Sequence, residues 1–356
     1  MPRALVLKGI MELELVEQPS APLRPGEARL RSRLSGISHG TELSLYRGTS
    51  AFSDKVFDRG LRAFVHPHAG TTSAYPATLG YEMVSEVVEV APDVTAVAVG
   101  DLVHTGTPHQ EETVLDVAAS LGATYPLVCL PTAERLERGL FISLSAVALQ
   151  AVHDAEVKLG DAVSVHGLGA IGLMAIQMCQ LEGIQNVYAV DPDPARRALA
   201  LKFGATDVLD PSNGESVGLQ IRERNSGRGV DVAIDVSGTD RGLQGALGAA
   251  GLGATVVAAG FYQGGASNLH LGEEFHHNRL SIIASIGGWG TPNRHAPQWD
   301  RRRVLDVATQ LLYTDRVSVE GLLTRTFPFG DARSAYEWLD GHPQDAVKVA
   351  FDYGTS

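Results

Sequence analysis

The stretch SVHGLGAIGLMAIQ, residues 164–177, constrains the fold more than any other part of the chain. Gly167, Gly169 and Gly172 follow a β-branched run and open an apolar helix, with Ala170 and Ile171 between them. Asp191 closes the next such run, NVYAVD, 19 residues beyond Gly172. In a strand–turn–helix unit the three glycines serve a tight turn, close backbone approach to a pyrophosphate, and tight helix–strand packing. The unpaired N–H groups of the helix start then offer an anion site. The spacing, the flanking elements and the acid together predict dinucleotide binding. A carboxylate at Asp191 accepts hydrogen bonds from a ribose diol and repels a 2′-phosphate. Arg196 and Arg197 stand on the following helix, where an NADP reader would sit. No basic residue directly follows Asp191, so NAD is expected over NADP.

The flanking sequence has the matching rhythm. DAVSVHG, NVYAVD, TDVLD, VDVAIDVSG, ATVVAAG and RLSIIAS are short β-type runs separated by helix-length segments. Strands alternating with helices predict a parallel sheet covered on both faces. Ser237 and Gly260, in the turns after the fourth and fifth runs, are counted with the cofactor site. Before about residue 140 the runs RALVLK, EARLRSRLSGIS, MVSEVVEVA and GDLVHTG are broken by Gly and Pro, which suits a compact, largely antiparallel barrel-like domain. A chain of 356 residues has room for two such cores.

Composition narrows the partners. A formal charge of −12 argues against nucleic acid or an anionic membrane, which require clustered Lys and Arg. No run of about 18 apolar residues is present to span a bilayer. The N-terminal stretch lacks a signal-peptide apolar region with a small-residue cleavage site. Cys129 and Cys179 are the only cysteines and neither belongs to a CxxC array, which excludes a zinc ribbon or a disulfide framework. Cys179, in LMAIQMCQLEG, reads as a buried helix thiol. A cytoplasmic location is the default expectation.

Several motifs together resemble the medium-chain dehydrogenase/reductase superfamily of zinc-type alcohol dehydrogenases. LGYEMVSEVVEVA is similar to that family's GHE-containing strand, GLGAIG to its nucleotide loop, and GVDVAIDVSG to its fourth sheet strand. FPFGDARSAYEWLDG and AVKVAFDY resemble its ending, where Lys348 takes the place of a basic residue that often reaches the cofactor pyrophosphate. The resemblance covers nearly the whole chain. It implies an α/β fold, with a Rossmann doubly wound parallel sheet over residues 144–285. A GroES-like β-rich catalytic domain is implied over 1–143 and 286–356. SGISHGTELSLYRG, the long segment before LGYE, and EEFHHNRLSIIAS resemble a divergent branch that includes bacteriochlorophyllide a dehydrogenase, whose substrate is not carried over. A homodimer or higher homo-oligomer is the expected assembly.

The departures from the family are as informative as the matches. The four-cysteine structural-zinc lobe has no counterpart between His104 and Cys129. Tyr81 stands in place of the GHE histidine, followed by Glu82, and the third zinc-ligand place falls near Ile142. In the first-ligand loop Ser38 or His39 replaces the cysteine, Thr41 takes the substrate-hydroxyl position, and Ser44 replaces the relay histidine. His39, His66, His68, His104 and His109 show no metal-ligand spacing. No metal site is therefore expected.

Hydride chemistry without zinc needs donors for the alkoxide-like oxygen. One well-placed donor in a dry site is worth about 3–4 kcal/mol, so two or three could replace the ion. His39, Thr41, Tyr81 and His109 are the candidates, with Glu82 as an orienting group. His39 leads for acid/base work because an imidazole titrates near neutrality. Three of them have a plainer reading: His39 and Tyr81 as loop anchor and aromatic filler, Thr41 as a helix cap. The 31 residues between Gly48 and Gly80 carry Phe52, Phe57, Phe64, His66 and His68, and suit a lid or an oligomer contact. The expected activity is NAD-dependent, zinc-independent hydride transfer between a nicotinamide and a small secondary alcohol or ketone. An NADPH-dependent enoyl or quinone reductase and a non-catalytic dinucleotide binder are the alternatives.

Overall fold

The computed structural model describes residues 1–50, 52, 55–66, 75–123, 125–286 and 295–354. They form two units, Met1–Phe141 with Leu323–Ser356, and Ile142–Leu322. The first unit begins with β1 (Arg3–Gly9), β2 (Glu12–Glu17), β3 (Glu27–Ile37) and α1 (His39–Tyr46). It continues through β4 (Val56–Asp58), β5 (Ala63–Val65), β6 (Ala77–Thr78), β7 (Met83–Val90), β8 (Leu102–Thr105), β9 (Glu112–Asp116), α2 (Val117–Leu121) and β10 (Val128–Cys129). The second unit runs α3 (Ile142–Ala155), β11 (Ala162–His166), α4 (Ala170–Leu181), β12 (Asn186–Val190), α5 (Pro194–Lys202), β13 (Asp207–Leu209), α6 (Val217–Arg224) and β14 (Val230–Asp235). It ends with α7 (Asp240–Ala249), β15 (Ala250–Ala258), α8 (Glu274–His277), β16 (Ser281–Ala284) and α9 (Arg301–Tyr313). The chain then returns to the first unit as β17 (Leu323–Pro328), α10 (Ala332–Gly341) and β18 (Lys348–Asp352).

The second unit is the doubly wound sheet. Its six strands lie in the order β13-β12-β11-β14-β15-β16, every pair parallel. Numbered from β11, this is the 3-2-1-4-5-6 order of dinucleotide-binding folds. All five residues of β11 are buried, as a central strand covered on both faces requires. The helices start where short acceptors cap them. Asp193 accepts the Arg196 N–H at 2.9 Å, Thr239 accepts the Gly242 N–H at 3.0 Å, and Asp300 accepts the Arg303 N–H at 2.8 Å. Cys179 is buried in α4 as a reduced thiol, as its apolar helix context predicts.

In the first unit β3 is the organising strand. It pairs with β7, β9 and β18, all antiparallel, within a seven-stranded sheet. A second sheet, β2-β1-β6, packs Leu5, Leu7 and Leu13 into a core with Ile37, Tyr46, Tyr336 and Phe351.

The expected return to the first domain at residue 286 is too early. α9 packs on α3, and its buried stripe Val304, Leu305, Ala308, Thr309 and Leu312 repeats at helical spacing toward the second unit. Chain order suggested a catalytic-domain helix, whereas the apolar face of α9 decides otherwise. The crossing back comes at Leu323. Among the described residues no helix is long and apolar enough to cross a membrane.

Candidate active site

The glycine turn of the second unit lies where the central strand β11 meets α4. Gly167 has φ +89°, a left-handed conformation that suits glycine, and a Cβ there would stand 2.7 Å from the Ser237 backbone. A Cβ on Gly172 would meet the Gly167 carbonyl oxygen at 2.0 Å. Both glycines are thus required by the protein's own packing. Gly169, the N-cap of α4, differs: no protein atom lies within 4 Å of its would-be Cβ. The space in front of it fits the close approach of a phosphate, and the N–H groups of Ala170, Ile171 and Gly172 belong to the first helical turn. Gly169→Ala should therefore cost about 1 kcal/mol of stability at most, yet weaken NADH binding on the order of tenfold. Calorimetric titration beside a melting curve separates the two, and Gly172→Ala should instead lower the melting temperature.

Asp191 does more than its sequence position suggested. It is only 4% exposed, and its carboxylate accepts the Leu168 N–H at 2.7 Å and the Asp193 N–H at 2.8 Å. The acid therefore pins the glycine turn, and a carboxylate retains further lone pairs for a ribose diol. Of the two arginines that follow, Arg197 is committed to the protein, donating to the Asp191 carbonyl at 2.6 Å and pairing with Asp210 at 3.1 Å. The half-buried Arg196 lies in the first turn of α5.

In the first unit, the hydroxyls of Tyr81, Ser38 and Thr41 come together. The Tyr81 hydroxyl donates to Ser38 Oγ and lies 3.4 Å from Thr41 Oγ1. Burial, and then the neighbouring Glu82 charge, raise the Tyr81 phenol above its ordinary range, so it stays protonated and remains a donor. Thr41 is not the helix cap. Ser38 is the N-cap, and Glu42 reaches back to accept the Ser38 N–H at 2.8 Å. Ser44 donates to the Thr41 carbonyl at 2.7 Å and so serves its own helix. His39 opens α1 and is half-buried. Tyr125, which no sequence pattern marked, stacks near Tyr81 with ring centroids 5.2 Å apart.

Beneath this cluster runs a buried polar chain. His109 bonds Glu42 through Nε2 at 2.9 Å and Ser35 through Nδ1 at 2.7 Å, and Ser35 bonds the Tyr353 hydroxyl at 2.8 Å. The Tyr336 hydroxyl also donates to Glu42. An ionised carboxylate only accepts, so His109 donates to it from Nε2. Burial alone would raise the Glu42 carboxyl. The His109 contact, together with the bonds from Tyr336 and Ser38, holds it below the usual range instead. The expectation of His109 on the substrate side is overturned: its ring is 0% exposed and both nitrogens are engaged inside the unit.

Lys348 is likewise an interior group. It is 2% exposed, its ammonium pairs with Glu82, and it donates to the Ile37 carbonyl at 3.0 Å. Burial raises the Glu82 carboxyl, and Lys348 offsets this only in part. Tyr353, Tyr336, Ser35 and Glu42 were missed from sequence. An acid in the first turn of a short helix was the one available signal, for Glu42. Among the described residues no group of three or more His, Cys, Asp or Glu could hold a metal ion. In the long insertion, Phe64 packs against Phe52 and Phe57 at centroid distances of 5.4 and 5.3 Å and His66 is exposed, while His68 lies outside the described residues.

A 3-2-1-4-5-6 sheet with a glycine turn on its first strand, on the same chain as a β-rich unit with a polar core, is the architecture of medium-chain dehydrogenases and reductases. Comparison with known proteins agrees. The pattern described as "Alcohol dehydrogenase GroES-like domain" matches residues 24–137, and "Zinc-binding dehydrogenase" matches residues 170–300. The D-guloside 3-dehydrogenase of Escherichia coli strain K12 is 30% identical over 343 residues, covering 95% of this chain and 96% of the relative. The (R,R)-butanediol dehydrogenase of Bacillus subtilis strain 168 is 31% identical over 294 residues, 76% of this chain and 78% of that one. A crystal structure of 2R,3R-butanediol dehydrogenase from Bacillus subtilis superposes with a TM-score of 0.76 at 24% identity, over 99% of this chain and 100% of that chain. The chain belongs to the medium-chain dehydrogenase/reductase superfamily, among the zinc-type alcohol dehydrogenase-like proteins.

Proposed function

We propose that this protein is an NAD-dependent, zinc-independent oxidoreductase that interconverts a secondary alcohol and its ketone in a small or medium-sized metabolite. The observation that carries the reading is the Tyr81–Ser38–Thr41 hydroxyl cluster, which includes the residues that the sequence resemblance sets at zinc-ligand places. A protonated phenol and a serine that accepts from it do not fit the donor set of catalytic zinc, which takes thiolate, imidazole or carboxylate. The names of the two relatives, a guloside and a butanediol dehydrogenase, support a hydroxyl-bearing substrate.

Bound NAD would supply the hydride acceptor, held by the Gly167–Gly172 turn with Asp191 at the ribose, Arg196 beside it, and Ser237 and Gly260 in the neighbouring turns. The chain's own groups then handle the oxygen. Tyr81 donates to Ser38 and thereby polarises the Ser38 hydroxyl, whose proton is directed to the substrate oxygen. Thr41 offers a second hydroxyl on the same cluster. Charge developing on that oxygen is met by donors already oriented, which is where such donors act most strongly. Glu82, fixed by Lys348, orients Tyr81 from the next position in the chain. His39 at the start of α1 is assigned the proton exchange. Cytoplasmic residence and a homodimer complete the proposal.

The test begins with metal analysis of the purified protein, then titration with NADH and NADPH and a survey of secondary alcohols for NAD⁺ reduction. Stoichiometric zinc whose removal abolishes turnover would sink the metal-free reading. Asp191→Ala should weaken NADH on the order of tenfold and NADPH less, since the carboxylate repels the 2′-phosphate. An equal loss for both would leave Asp191 only its role in pinning the turn.

A further inference from the structure

The carboxyl edge of the second unit's sheet holds a buried acid that the reaction above does not use. Asp235 ends β14 and is 0% exposed. In the sheet register it lies beside His166 of β11 and Ala258 of β15. It thus stands between the strand that leads into the glycine turn and the strand that leads to Gly260. Its carboxylate accepts the Ser237 N–H at 3.2 Å and the Tyr262 hydroxyl. Its main-chain carbonyl accepts the N–H groups of Ala259 at 2.9 Å and Gly260 at 3.0 Å. One residue therefore ties together the turns 236–238 and 259–262. The Ser237 backbone in the first of them is also the wall against which Gly167 packs.

A buried carboxylate without a cation beside it is costly, and an amide of the same shape would serve a purely structural role at lower cost. We propose that Asp235 is a positioning residue of the dinucleotide site, its carboxylate and the Tyr262 hydroxyl holding the 236–238 and 259–262 turns at the spacing that cofactor binding requires. The proposal rests on the dinucleotide reading of the glycine turn and adds a residue to it.

The pair also brings a pH dependence within reach. Burial pushes the Asp235 carboxyl up to about 6, with the bonds from Tyr262 and Ser237 opposing the rise. The groups that face it from the packed elements do not titrate in that range. His166 on β11 is neutral, pushed down to about 3 by burial. The Tyr262 phenol is raised by burial and by Asp235 itself, and stays protonated. Asp240 at the start of α7, held below the usual range by hydrogen bonds from Asn268, stays charged. Above about pH 6 the ionised Asp235 accepts both bonds with full charge, and below it protonation weakens them. Cofactor affinity should therefore fall as the pH drops through that value.

The experiment titrates NADH by fluorescence into full-length wild type, Asp235→Asn and Tyr262→Phe, from about pH 5.5 to about pH 8, with a melting curve at each point. At the upper end both variants should bind NADH on the order of tenfold more weakly. The wild-type affinity should decline toward low pH, while that of Asp235→Asn stays flat. Should Asp235→Asn melt near the assay temperature, Tyr262→Phe, which keeps the ring, decides the matter. Variants that bind NADH like the wild type at every pH would overturn the role of Asp235 and leave the dinucleotide reading standing. A wild type that binds neither NADH nor NADPH would overturn both.

Discussion

Replacing Lys348 by Met should destabilise the protein by about 3–5 kcal/mol near neutral pH, because it leaves Glu82 buried without its partner. Glu82 is 0% exposed, Lys348 is 2% exposed, and Glu82 Oε1 has no hydrogen-bond partner among the described residues. The Glu82 carboxyl is already raised by burial with Lys348 in place, and loss of the ammonium raises it further. A carboxyl whose folded value lies above its unfolded one contributes stability below the unfolded value. That contribution is lost as the pH rises through the folded one. The variant should therefore be closer to wild type at about pH 5 than at about pH 8. Adding Glu82→Gln should recover part of the loss, since the second change removes the uncompensated charge. Urea unfolding of wild type, Lys348→Met, Glu82→Gln and the double variant at the two pH values provides the check. A loss under about 1 kcal/mol, the same at both pH values, would show that the pair is better solvated than its burial indicates.

Tyr81→Phe should lower kcat for alcohol oxidation by about 100-fold, because Ser38, the proposed donor to the developing oxyanion, loses the hydrogen bond that orients and polarises it. NADH affinity should stay unchanged, because the dinucleotide turn belongs to the other unit. The ring keeps its packing near Tyr125, so stability should move by only about 1 kcal/mol, the worth of its bond to Ser38. Ser38→Ala should fall on the same scale, and the double variant should fall no further than either single one. This follows because Tyr81 acts through Ser38. A small effect of Tyr81→Phe beside a large effect of His39→Ala would move the oxygen-holding role from the hydroxyls to the imidazole.

Local pattern carried much of this protein. The six strands of the parallel sheet, the glycine turn and Asp191 were readable because each is announced by neighbours within a few residues. A β-branched run, a glycine where φ is positive and an acid at a strand end are local requirements. The plain reading of Thr41 as the helix cap failed by three residues. Ser38 and Glu42 offer the helix start a better pair of bonds, and Thr41 became free to join Tyr81. The segment after residue 286 was misassigned because α9 carries no marker of the neighbour its apolar stripe will meet.

By itself the sequence determined a doubly wound α/β unit with a glycine turn and a β-rich companion. Each of these follows from short-range periodicity and residue type. Only the tertiary structure decided what the long-range polar groups do. Pairing of β18 with β3 sets Val349 opposite Ile37 and Phe351 opposite Ser35. The same pairing delivers Lys348 to Glu82 and Tyr353 to Ser35, across 266 and 318 residues of sequence. His109, which looked like a group facing substrate, became an interior link because that pairing buries it between Glu42 and Ser35. A side chain's charge state and partner depend on burial, and burial is a property of the packed sheet rather than of the residue's neighbours in the chain.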